Sequence, residues 1–266
     1  MEQVRAIVLR AAGINCDLET EYALRLAGAE PQRIHINRLM AEPALLDGVQ
    51  ILVFPGGFSY GDDVAAGKIL ANQIVHHLSD VLQRFIEQGK LILGICNGFQ
   101  VLIKAGLVPA IRCEQQSLAA DLAATLTDND SGRFEDRWVY LQPGTLRCVF
   151  IEPERRLYLP VAHGEGKVVA RDEATLGQLG EQGYVAFRYV DAEGNRGPFP
   201  INPNGSQDDI AALTDSTGRV LGMMPHPERF VRMTQHPHWT RLKEQEGFGD
   251  GMTIFKNAVT YIRDHF

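Results

Sequence analysis

Apolar positions in the first hundred residues follow two rhythms. Short unbroken apolar runs end at glycine or proline, and between them apolar residues return every three or four positions. Residues 6–10, Ala-Ile-Val-Leu-Arg, predict a buried strand. Residues 17–27 predict a helix, with Asp17 as its N-cap and Gly28 as its stop. Residues 33–37 alternate as a second strand, and residues 49–54 form a third, halted by Pro55-Gly56-Gly57. Leu70, Ile74, Leu78, Leu82 and Phe85 then fall at steps of four, four, four and three, the apolar face of one long helix ended by Gly89. Residues 90–95, Lys-Leu-Ile-Leu-Gly-Ile, read as a strand buried on both faces of a parallel sheet. Strands alternating with helices predict an α/β three-layer sandwich around a mostly parallel central sheet.

The second half carries more strand signals, at residues 138–141, 146–151, 166–170, 184–190, 210–214 and 219–224. These are expected to extend the sheet or to form antiparallel edge strands. Residues 191–197 and 200–207 are rich in turn formers and read as loops. With no repeat, low-complexity tract or long linker, the 266 residues are read as a single domain, 1–266.

Composition narrows the function classes. A net charge of −7, with Arg155-Arg156 the longest basic pair noted and read as a solvated rim, argues against a nucleic-acid partner. No apolar stretch approaches the roughly 18 residues of a membrane span, and the apolar stretch at residues 6–9 is too short for a signal sequence. The four cysteines (Cys16, Cys96, Cys113 and Cys148) show neither zinc spacing nor a C-x-x-C pair, so reduced thiols in a cytoplasm are expected. Three of them read as small core or boundary residues. Cys96 does not.

Cys96 stands in Gly94-Ile95-Cys96-Asn97-Gly98, directly after a buried strand and before a helix pattern. This is the strand–turn–helix elbow that presents a nucleophile at the carboxyl edge of a sheet. A helix N-terminus also favours the thiolate form of a cysteine. A buried structural cysteine between packing glycines is the bland alternative. A thiolate nucleophile needs a histidine and a third group to orient it. His226, in Met224-Pro225-His226-Pro227-Glu228, precedes a proline and is held extended, so Glu228 two residues on shares its face. His226 and Glu228 could also be metal ligands, but no third ligand at convincing spacing is apparent. His76 and His77 lie beside the long helix's apolar stripe, and His236 with His238 gives only a weak metal signal. The oxyanion donors expected for acyl transfer are the backbone N–H groups of Asn97 and of Gly57, the latter at another strand end; a glycine turn that merely ends the strand is the competing reading.

These residues resemble the class I, triad-type glutamine amidotransferases, through residues 94–100 and Pro225-His226-Pro227-Glu228. Further segments, at residues 55–62, 131–134, 162–166, 202–206 and 224–229, are similar to glutaminase subunits of phosphoribosylformylglycinamidine synthase. The resemblance implies that Cys96 attacks the side-chain amide of glutamine, with His226 relaying protons and Glu228 orienting it. It implies that Gln100 and His163 bind substrate, His163 alternatively lining the partner interface. It also implies a large synthetase subunit that receives the ammonia, a small bridging subunit, and ATP with Mg2+ on the synthetase; no cofactor or metal is expected in this chain, which lacks a P-loop. Residues 131–138 look more like the fused, single-chain version of the synthase, and residues 230–249 find no place in the comparison. A cysteine peptidase or thiol stress protein of the same fold, and a catalytically silent regulatory subunit, are the rival readings.

Overall fold

The computed structural model describes residues 3–110, 122–243 and 246–266. In chain order its first half comprises β1 (Arg5–Arg10), α1 (Asp17–Leu26), β2 (Glu30–His35), α2 (Ile36–Ala41), β3 (Ile51–Phe54), α3 (Lys68–His77), α4 (Ser79–Glu87), β4 (Leu91–Ile95) and α5 (Asn97–Lys104). The second comprises β5 (Ala124–Asp128), β6 (Glu135–Pro143), β7 (Leu157–His163), β8 (Glu165–Ala170), α6 (Glu173–Glu181), β9 (Val185–Val190), β10 (Ile210–Thr214), β11 (Val220–Met223) and α7 (Met252–His265). A nine-stranded sheet runs in the order β2-β1-β3-β4-β11-β10-β9-β6-β7, and β5 pairs with β8 in a separate two-stranded ribbon. The first five strands pair in parallel. The remaining four continue antiparallel. Helix α1 packs with α7, and α3 packs with α4 and α5, in keeping with the layered α/β class read from the chain.

The register of the parallel block sets up the site. Phe54 of β3 pairs with Gly94 of β4, and Ile95 pairs with Met223 of β11. Because parallel strands end on one edge, the segments that follow them, Pro55-Gly56-Gly57, Cys96 and Pro225-His226, emerge side by side. The backbone N–H of Cys96 donates to Met223 O at 2.8 Å, extending this alignment one residue past the strand.

Several elements differ from the expectation, each for a visible reason. The long helix is two helices, α3 and α4, meeting at Leu78 (φ −129°, ψ 0°). Each step of four residues over-rotates by about 40° relative to a 3.6-residue turn, so three in succession carry the apolar stripe away from the sheet. The break at Leu78 resets it, and Leu70, Ile74, Leu78, Leu82 and Phe85 all stay buried. Asp17 does not cap α1; it lies in the first turn with its carboxylate 2.8 Å from Arg10 and 3.2 Å from Arg33, and Cys16 holds the cap position. The second strand ends at His35, where its imidazole accepts from Asn37 N and opens α2. Residues 146–151 form turns rather than a strand: Cys148 and Phe150 are buried but Leu146 is exposed, and Val149 contributes one bridging hydrogen bond, to Gly218 O. Conversely, the pattern did not single out β5, β7, α6 or α7. Pro160 interrupts β7, which is tolerated because β7 is an edge strand.

Cys16 and Cys148 are buried as expected, and burial pushes the Cys148 thiol up to about 12; Cys113 lies outside the described residues. Residues 233–235 and 239–241 form short turns, and the His236 ring packs against Trp138, Tyr158 and Phe230. That aromatic contact is the structural role of a stretch that had no reading. No described helix is long and apolar enough to cross a membrane.

Candidate active site

Cys96 occupies a backbone conformation of φ 50°, ψ −106°, at the N-cap of α5. Positive φ in a residue with a Cβ costs about 1–3 kcal/mol and persists only where neighbours enforce it. The flanking glycines show the enforcement. A Cβ on Gly98 would collide with the Phe54 carbonyl, and one on Gly94 would stand 2.5 Å from Leu102 Cδ1 and 2.8 Å from Gly98 O. The strained turn is therefore locked between β3 and α5, and the thiol projects to the wall of a cavity of about 210 Å³. Gly57, Phe58, Asp62, Gln100, Phe134, His163 and Glu165 share that wall. Cys96 Sγ also lies 3.6 Å from Ala162 O at the end of β7.

His226 is buried beside the thiol, its backbone N–H donating to Pro160 O at 2.8 Å. Its Nδ1 meets Glu228 Oε1 at 2.7 Å, the contact that the i and i+2 spacing anticipated. Burial by itself pushes this imidazole down, but Glu228 and then the Cys96 thiol more than offset that, and the ring is held well above its ordinary value. Nδ1 is committed to Glu228, so Nε2 is the nitrogen left to exchange a proton; it is buried and makes no hydrogen bond among the described residues.

Gly57 lines the cavity, and Asn97, first residue of α5, has an N–H with no intrahelical acceptor. The Asn97 side chain does more than sequence suggested. Its Oδ1 accepts from Ser59 N at 3.2 Å, while its Nδ2 donates to Asp62 Oδ1 at 3.1 Å and Gln100 Oε1 at 2.9 Å. It thereby ties the elbow to the turn after Gly57. Gln100 lines the cavity, but its amide is engaged at both ends, the Nε2 donating to Glu165 O at 2.5 Å. Gln100 thus helps to shape the pocket through Glu165 and Asn97.

His163 lies in the same wall with its tautomer set by Asn129. Asn129 Oδ1 accepts from Gly166 N at 3.1 Å and sits 3.0 Å from His163 Nδ1, so Nδ1 carries the proton. Burial, then the neighbouring His226, pushes His163 down to about 4. The ring is neutral in the fold at pH 5–7 but takes up a proton near 6.5 once unfolded. Its stabilising effect is therefore complete above pH 6.5 and is lost as pH falls toward 4, by about 3 kcal/mol for a shift of this size. Urea unfolding of the wild type and of His163→Gln should show the wild type losing more stability between pH 7 and pH 4.5. Parallel declines would contradict a neutral buried imidazole.

Sequence reasoning missed Cys16. Its Sγ, a His226 nitrogen and a Glu228 oxygen all lie within 4.8 Å of one another, supplying the third donor that a metal reading had lacked. Arg229 Nη2 stands 3.1 Å from that sulfur, and a fixed guanidinium charge there opposes a dication. Cys16 is also absent from the cavity wall and only 1% exposed, whereas Cys96 lines the wall. Of the two thiols beside His226, Cys96 alone faces space that a substrate can fill. Asp62 and Glu165 stood out only as members of longer segments and Asn129 not at all, since nothing in their spacing reveals that the two carboxylates share one cavity wall or that Asn129 holds His163 there.

A family model described as a CobB/CobQ-like glutamine amidotransferase domain matches residues 3–262. The chain is similar to the phosphoribosylformylglycinamidine synthase subunit PurQ of Dehalococcoides mccartyi, 48% identical over 99% of both chains. It is similar also to the subunit of that name from Methanococcus maripaludis, 41% identical over 97% of each. Among solved structures it resembles a chain of PurLQS from Thermotoga maritima, with TM-score 0.71 and 30% identity, covering 98% of this chain and 100% of that one.

Proposed function

This chain belongs to the CobB/CobQ-like glutamine amidotransferase family, and from that premise we propose that it is the glutaminase subunit of a phosphoribosylformylglycinamidine synthase, working in purine biosynthesis. The observation that carries the chemistry is the convergence of Cys96 with the His226–Glu228 pair, from two segments far apart in the chain, at one sheet edge, with the thiol on a cavity wall.

In the proposed reaction, His226 Nε2 takes the Cys96 proton and the sulfur attacks the side-chain carbonyl carbon of glutamine. The N–H groups of Gly57 and Asn97 receive the developing oxyanion. His226 then gives its proton to the leaving nitrogen, ammonia departs and a glutamyl thioester remains on Cys96. Water, deprotonated by the same imidazole, attacks the thioester to release glutamate and restore the thiol. Glu228 keeps the Nδ1 proton in place throughout. The acidic side of the pocket, Asp62 with Glu165, suits the α-ammonium group of glutamine. The ammonia passes to a large synthetase subunit holding ATP and Mg2+, with a small subunit bridging the two, in the cytoplasm; the exposed Phe58 and Phe134 rings, 6.4 Å apart at the cavity, are a suitable rim for such a partner.

The test is treatment of the assembled complex with a glutamine-like chloroketone, followed by peptide mapping and an ammonia-release assay. Modification at Cys96, prevented by glutamine, together with glutamine-dependent ammonia release is the expected result. Labelling elsewhere, or peptide cleavage without ammonia release from glutamine, would overturn the reading.

A further inference from the structure

Two thiols flank the imidazole of His226, and the mechanism above uses only one. Cys16 lies behind the ring, in the loop that leads from β1 into α1, and several contacts immobilise it. Its sulfur accepts from Arg229 Nη2 at 3.1 Å and its S–H donates to Asn15 Oδ1 at 3.2 Å, while Arg229 Nε is anchored on Glu19 Oε1 at 3.0 Å. The Cys16 backbone N–H donates to Gly56 O at 3.2 Å. The same loop also bridges Gly57 through Ile14 and accepts Phe58 N on Gly13 O at 2.9 Å. A Cβ placed on Gly56 would stand 2.8 Å from His226 Cε1 and 3.0 Å from Cys16 Sγ, so the glycine, the sulfur and the ring edge are in close apposition.

We infer that Cys16 is a positioning residue for glutamine hydrolysis: its sulfur seats the back of the His226 imidazole while its backbone holds the Gly56-Gly57 turn that carries an oxyanion donor. The inference rests on the glutaminase reading and adds a residue to it. The choice of sulfur follows from its chemistry. A thiol is bulky and polarisable but a weak hydrogen-bonding group. It can fill the space beside the ring without competing with Glu228 for the Nδ1 proton. A hydroxyl there is smaller and hydrogen-bonds more strongly, and a methyl group leaves the ring edge and the Arg229 guanidinium without their neighbour. Burial raises the Cys16 thiol above its ordinary value, consistent with a neutral group and not with a second nucleophile. Its absence from the cavity wall gives the same answer from geometry.

The experiment uses the assembled synthase complex carrying Cys16→Ala or Cys16→Ser. Three quantities are measured: glutamine-dependent turnover, synthesis supported by added ammonium salt, and the rate of Cys96 alkylation by iodoacetamide. Loosening a catalytic group by about an ångström costs up to about 100-fold. Cys16→Ala is therefore expected to lower glutamine kcat by about 10- to 100-fold with KM little changed. It should slow Cys96 alkylation as well and leave ammonium-dependent synthesis intact, and Cys16→Ser should recover part of the loss. Wild-type kcat and alkylation rate in Cys16→Ala would overturn the inference. An equal fall in ammonium-dependent synthesis, or a Cys16→Ala that does not assemble accompanied by a Cys16→Ser that assembles with full kcat and alkylation rate, would also overturn it, by showing a merely structural role. If instead the wild-type complex releases no ammonia from glutamine, the glutaminase reading fails and the positioning role falls with it, whereas wild-type kcat in Cys16→Ala removes the positioning role alone.

Discussion

Cys96→Ala is expected to reduce glutamine-dependent synthesis by a factor on the order of 10⁴–10⁶, leaving ammonium-dependent synthesis unchanged. Alanine cannot form the thioester, so the acyl-transfer route is closed rather than slowed. The residue at this position adopts φ 50° whatever its side chain, because β3 and the Gly94 and Gly98 approaches hold the turn. Alanine carries the same backbone strain as cysteine, and the fold and the complex should survive the exchange. A double variant that also lacks His226 should lose no more than either single variant, since a base without its nucleophile has nothing to deprotonate. Ammonia release from glutamine by Cys96→Ala at more than about one hundredth of the wild-type rate would assign the nucleophile elsewhere, with Cys16 the first candidate.

The second large effect is expected at Glu228. Its carboxylate lies 2.7 Å from His226 Nδ1, and both groups are fully or almost fully buried. Glutamine at this position has a similar shape but can present an N–H to Nδ1, which would move the ring proton to Nε2, the nitrogen that must accept the thiol's proton. Glu228→Gln is accordingly expected to lower glutamine turnover by roughly 10³- to 10⁴-fold, as wrong-tautomer variants of comparable triads do. The charge change has a separate pH signature. Burial opposes a charged His226 and Glu228 is the largest influence favouring it, so removing the carboxylate lets desolvation act unopposed by its main counterweight. The imidazolium should then be lost at lower pH, moving the alkaline limb of residual activity downward. An unchanged limb, or a loss of less than about tenfold, would show that Glu228 does not orient the ring.

How much of the site the chain disclosed depends on how local each signal was. Gly94-Ile95-Cys96-Asn97-Gly98 is legible because the strain of one turn dictates residues within two positions of the sulfur. The pairing of His226 with Glu228 is legible because extended backbone places i and i+2 on one face. Cys16, 210 residues from His226 in the chain, carried no such signal, since its relation to the ring exists only after β1 and β3 pair and bring its loop against Gly56 and Gly57. Asn129 setting the His163 tautomer, and Asn97 bracing the Ser59 to Asp62 turn, belong to the same category.

The break at Leu78 shows the same division among larger elements. Apolar spacing correctly named the buried face of α3 and α4, yet the point where the stripe must be re-aimed is a property of the sheet it packs on. Periodicity and turn chemistry act over a few residues, and those were enough to establish an α/β chain, a strand–turn–helix elbow at Cys96 and a proline-framed imidazole. Strand order, the antiparallel extension through β10, β9, β6 and β7, and the meeting of two thiols on one ring were decided only by folding. They depend on which surfaces bury each other across long sequence separations, and no local pattern encodes that pairing.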